Sequence, residues 1–167
     1  MKNCRCCDIK EVSYININSF ECFNEQAMTI SKSTESINDY SDDSTIDIIK
    51  IDLDEVFEIV RSDCFSEYKE LLPLIPIKLT KSKNTTASYR CSYTSKSFKI
   101  IEEYFTFNTL VQWTKRKLLN IMAHEMIHYL CVKKGFFKEN HGSRFIAEMN
   151  RVNNLGKGYV RFFLNCI

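Results

Sequence analysis

Residues 118–153 read LLNIMAHEMIHYLCVKKGFFKENHGSRFIAEMNRVN, and the positions of the histidines in this stretch decide how the rest of the chain is understood. Leu118, Ile121, Met122, Met126 and Leu130 recur every three or four residues, the period of a helix that buries one side, and Gly135 is a natural stop for it. His124 and His128 fall four apart on that helix. Residues so spaced sit one turn above each other, so both imidazoles can be aimed at a single metal ion. Glu125 is turned by about 100° from His124, which makes it a poor third ligand but a good neighbour for a water on the metal. Zinc lowers the pKa of a bound water to about 7, and an adjacent carboxylate can take the proton. The expected chemistry is hydrolysis by a water that Glu125 activates.

A catalytic zinc site needs a third protein ligand and one open position. The remaining histidine of the chain is His141, 13 residues beyond His128 in the loop KENHGS, where it can fold back over the helix. Glu148 on the following helix is the alternative, an arrangement similar to that of gluzincin-type peptidases, and residue types alone leave both open. The metzincin extension requires Gly at 131 and His at 134, where this chain has Cys131 and Lys134.

The same stretch resembles the core of the SprT-like metalloproteases, the family that includes Spartan. The resemblance rests on His124-Glu125-Met126-Ile127-His128, a short insertion, and His141-Gly142-Ser143-Arg144-Phe145 opening a helix, and it covers roughly residues 53–153. It implies a zincin-like α+β domain with a small antiparallel sheet packed on the motif helix and flanking helices. It further implies one catalytic Zn2+ held by His124, His128 and His141, Glu125 as the base, and protein substrates bound or crosslinked to DNA. By position, Gly142 would give the loop room and Phe145 would pack beneath the site.

Upstream of the motif, Asp52 caps an expected helix from about 53 to 71 that ends before Pro73. Residues 76–80, 87–94 and 97–106 read as strands, rich in Tyr, Phe, Ile and Thr and broken by the polar turns KSKNTT and SKS. Asn108 or Thr109 is the expected cap of the motif helix. A further helix is expected over 143–152 and a last strand over 159–164. Toward the N-terminus, 12–18 alternates weakly like a strand, and 31–45 is a polar stretch too poor in large apolar residues to fold alone. Residues 1–45 are thus expected to be an acidic segment and linker, and 46–167 the metalloprotease domain.

With 167 residues, 44% of them hydrophobic and 26% charged, the chain can bury a single core. No apolar run approaches the roughly 20 residues that span a bilayer. No export signal is apparent, so an intracellular location and reduced cysteines are expected, with Cys64 and Cys131 on apolar helix faces. Cys4, Cys6, Cys7 and Cys22 form a separate group to which no metal site is assigned.

The net charge of +2 conceals a split: residues 1–60 carry 5 Lys/Arg against 13 Asp/Glu, and residues 61–167 carry 18 against 8. These are net charges of −8 and +10, and the basic part suits a polyanion such as single-stranded DNA or a DNA–protein complex. Candidate contacts are Lys115, Arg116, Lys117, Lys133 and Lys134, with Lys81, Lys83 and Lys138 nearby in sequence, and Trp113, Tyr89 or Tyr93 as platforms for unpaired bases. Solvated lysines and core aromatics are the plainer account of each. Two other functions fit the same residues: a regulatory peptidase cutting one repressor-like protein, and a zinc-stabilised binding module without turnover. An acid beside the first histidine is of no use to the latter.

Overall fold

In the computed structural model of the chain, the described residues are 12–16, as a paired strand, and 44–155. The expected last strand, the linker up to residue 43 and the N-terminal cysteines lie outside them.

The first helix, α1 (Leu53–Cys64), starts as its sequence requires: Asp52 accepts hydrogen bonds from Asp54 N at 3.0 Å and Glu55 N at 3.2 Å. Leu53, Phe57, Val60 and Cys64 are its buried side. It stops at Cys64, seven residues short of 71, because Phe65 leaves helical geometry to bury its ring completely. The freed end is held from elsewhere in the chain. Arg151 donates to Cys64 O at 3.0 Å, and Arg61 donates to Leu72 O at 3.1 Å.

Four strands form the main sheet in the order β1-β4-β5-β3: β1 (Val12–Asn16), β3 (Ile77–Thr80), β4 (Ala87–Thr94) and β5 (Ile100–Asn108). The expected sheet was antiparallel. β1 and β5 do flank β4 in antiparallel pairing, but β3 runs parallel to β5, so the sheet is mixed. Alternation along a strand encodes which face is buried and says nothing about the direction of its neighbour. The KSKNTT segment is accordingly no hairpin turn; it carries the chain past β5. Asn108, at the end of β5, ties it down with Nδ2 donating to Ser82 O at 2.6 Å and Thr85 O at 2.8 Å. A two-residue ladder joins β2 (Thr45–Ile46) to β6 (Trp113–Thr114).

The motif helix is α2 (Lys115–Lys133), capped by Thr114, whose side chain accepts from Lys117 N at 3.2 Å. The expected caps do other work: Asn108 closes β5, and Thr109 N donates to Thr80 O. All residues from Leu118 to Val132 are buried, so α2 is surrounded rather than half-covered. It packs against α1, β4, β6 and a third helix, α3 (Ser143–Asn154), which buries Phe145, Met149 and Val152.

Candidate metal centre

Beyond Lys133 the chain turns back sharply. Gly135 has a φ of 85°, in the left-handed region, with its N donating to Val132 O and Phe136 N donating to Cys131 O, a helix-ending motif that favours glycine. The segment that follows is drawn onto α3. The Arg144 guanidinium lies 3.6 Å from the Phe136 ring centroid, and Glu139 accepts from Arg144 N at 2.7 Å, capping α3 where Gly142 has no side chain to do so.

This path brings His141 over α2. The three Nε2 atoms form a triangle: 3.2 Å between His124 and His128, 3.1 Å between His128 and His141, and 3.3 Å between His141 and His124. Together they are a group able to hold a metal ion. Three corners of a tetrahedron around an ion at bond lengths of about 2.0–2.1 Å lie about 3.3–3.4 Å apart, so the triangle fits. Protons cannot satisfy it equally well, since a neutral imidazole nitrogen either donates or accepts and three cannot all be paired with one another.

Burial pushes His124 and His128 well below the ordinary histidine range, helped by the neighbouring rings, and burial also lowers His141. All three are therefore neutral at pH 7, the form that ligates metals. Phe145 lies under all of them, its centroid 5.0 Å from that of His124, 4.4 Å from His128 and 4.6 Å from His141. Glu148 is turned elsewhere, to Lys134 and Arg151.

Glu125 is fully buried beside this group, and its Oε2 accepts from Tyr89 N at 2.7 Å. Tyr89 lies in β4, so it is this strand's backbone that reaches the motif helix. No residue pattern could announce this contact, because the donor is a backbone group. The Tyr89 side chain is held by Glu103, which also accepts from Lys133 at 2.6 Å.

Several candidate nucleic-acid contacts have other partners. Lys133 pairs with Glu103, Lys134 with Glu148, and Lys117 donates to Gln112 O. Trp113, Tyr89 and Tyr93 are core residues, at most 4% exposed, and offer no face to a base. Lys81, Lys83, Lys115 and Lys138 are exposed, and Arg116 is half-buried. Cys64, Cys91 and Cys131 are buried thiols; burial pushes the Cys131 thiol up to about 11, which leaves it an unreactive core residue.

Fold and site together define an α+β domain with a three-histidine group able to hold a metal ion, two of the histidines on one buried helix. A model of the SprT-like family matches residues 53–161, and the chain belongs to that family. Membership points to metallopeptidase activity. No curated protein and no solved structure gives a significant match. Among the described residues, no helix is long and apolar enough to cross a membrane.

Proposed function

We propose that this chain is a zincin-like zinc endopeptidase that cuts proteins bound or crosslinked to DNA. The observation that carries the reading is the Nε2 triangle of His124, His128 and His141, 3.1–3.3 Å on a side, with the Glu125 carboxylate on the next residue of the same helix. Catalytic zinc takes three protein ligands where structural zinc takes four, and this donor set is three neutral imidazoles. When bound, the ion would supply Lewis-acid polarisation of the scissile carbonyl. Glu125 takes the proton of the attacking water and delivers it to the leaving amide nitrogen. The Tyr89 amide fixes one carboxylate oxygen, and so the direction in which the other faces. The +10 net charge of residues 61–167 and the exposed Lys81, Lys83, Lys115 and Lys138 support a DNA-associated substrate.

The test is metal analysis together with cleavage of a DNA-bound protein, with and without single-stranded DNA, on the native chain and Glu125→Gln. The variant should keep its zinc and lose activity by about 10²- to 10⁴-fold. Normal cleavage by that variant sinks the mechanism. The pairing of Lys133 and Lys134 within the fold favours a second reading, an intracellular peptidase of one regulatory protein. Cleavage indifferent to DNA selects it.

A further inference from the structure

The β4–β5 hairpin closes around Ser95–Phe98, with Thr94 N donating to Lys99 O at 2.9 Å and Phe98 N donating to Thr94 O at 2.8 Å. Phe98 has a φ of 51°, and among the described residues no other non-glycine has a positive φ. A left-handed residue at the end of such a turn is ordinarily Gly or Asn, because a β-carbon crowds the backbone there, and an aromatic is an outlier. Burial is no compensation, since the ring is 48% exposed. What the ring does is reach across: it stacks on Tyr93, with centroids 5.7 Å apart at 20°, and meets Phe137 at 5.2 Å. Tyr93 and Phe137 are themselves 4.7 Å apart.

Phe137 belongs to the segment between Gly135 and Gly142 that presents His141. Arg144 on Phe136 and Glu139 on Arg144 N hold this segment from the α3 side. From the sheet side it is held by Phe137 against the hairpin. A ligand on an irregular segment is only as well placed as the contacts that order it.

We propose that Phe98 is a positioning residue for the metal centre: its ring, stacked on Tyr93 and packed against Phe137, holds the segment that carries His141, and this is why an aromatic occupies a left-handed turn. The inference rests on the three histidines holding a metal. The loop is then ordered before the ion arrives, and less of the binding free energy goes into ordering it.

Phe98→Gly is the decisive variant, because glycine suits the backbone while the ring is lost; Phe98→Tyr keeps the ring, and Phe137→Ala removes the other half of the contact. Two quantities are read on each full-length protein: the zinc dissociation constant, by competition with a chromophoric chelator, and amide hydrogen exchange of residues 136–142 without metal. Phe98→Gly and Phe137→Ala should weaken zinc binding about tenfold, as loss of an outer support typically does. Exchange in 136–142 should rise while that of α2 stays low, and Phe98→Tyr should match the native chain. A native chain that binds zinc, with Phe98→Gly equal to it in affinity and exchange, overturns this inference and leaves the metal reading intact. Weakened binding with unchanged exchange also overturns it. A native chain that binds no zinc overturns the metal reading and the role assigned to Phe98 with it.

Discussion

Asn108 is 3% exposed and its amide makes four hydrogen bonds: Oδ1 accepts from Ser82 N at 3.3 Å and Leu110 N at 2.9 Å, and Nδ2 donates to Ser82 O and Thr85 O at 2.6 and 2.8 Å. Asn108→Ala removes all four. Each nets about 1 kcal/mol, and an orphaned buried partner costs about 1–3 kcal/mol. Ser82 and Thr85 are half-exposed, so water can replace part of what they lose, and the expected destabilisation is about 2–3 kcal/mol. At about 2–4 °C per kcal/mol for a chain of this size, Tm should fall by about 5–10 °C. Asn108→Asp is nearly isosteric and keeps both acceptor contacts. It nevertheless sets a carboxylate oxygen against two carbonyl oxygens, so at pH 7 it should cost more than alanine. Thermal unfolding of the two variants by circular dichroism decides the matter. A loss under about 1 kcal/mol for alanine, or a milder effect for aspartate, refutes the role given to the amide. Zinc content should be unaffected, because α2 starts from its own cap at Thr114.

A β-carbon on Gly142 would lie 2.5 Å from Glu139 Oε1, so Gly142→Ala should displace Glu139 and strip Arg144 N of its acceptor. Loss of a helix cap costs about 1 kcal/mol, so thermal unfolding should register a Tm lower by about 2–4 °C; an unchanged Tm argues against capping by Glu139. Glu148 and Lys134 make a pH prediction. Burial alone would raise Glu148 and lower Lys134, but their mutual hydrogen bond, with Arg151 on the acid and Tyr68 on the lysine, reverses both shifts. Stability from the depressed acid is present above about pH 4.3 and lost as pH falls through its folded value. Stability from the raised lysine is present below about pH 10.4 and lost as pH rises through its folded value. The Tm difference between the native chain and Glu148→Gln should be widest from about pH 5 to 9 and shrink on either side. A difference that is flat with pH shows the pair to be inert.

What could be read in advance follows from which residues have their geometry set by local rules. A helix turns a four-residue spacing into a fixed spatial relation, so His124, Glu125 and His128 could be placed from their order alone. His141 has no such rule: its position depends on Gly135 ending the helix and on Arg144 and Glu139 drawing the segment to α3, contacts that no periodicity predicts. The same reason explains the other differences. α1 ends early because Phe65 leaves the helix to bury its ring, and Arg151, 87 positions after Cys64, takes the carbonyl this frees. Asn108 looked like a cap because its amide suits one, but a turn brought alongside by the parallel β3 claims it. Lys133 and Lys134 looked like phosphate contacts because their acidic partners, Glu103 and Glu148, come from other elements.

The burial of α2 on every side bears on the metal independently of the motif. A polar group inside a core is retained where its hydrogen-bonding or charge requirement is met. Glu125 meets part of its requirement at the Tyr89 amide. The imidazoles of His124 and His128 are almost fully buried and pushed toward neutrality, and their Nε2 atoms meet at 3.2 Å with that of His141 within 3.3 Å of both. Protons cannot pair three neutral ring nitrogens with one another, whereas one cation can serve all three, so this packing makes sense as the housing of an ion. The third ring approaches from the opposite, exposed side on a loop, which divides the labour. The helix fixes two donors at low cost in disorder, while the loop supplies the third from the exposed side of the group. A rigid third donor from a neighbouring core element would complete the triangle equally well, but it would bury the centre away from solvent.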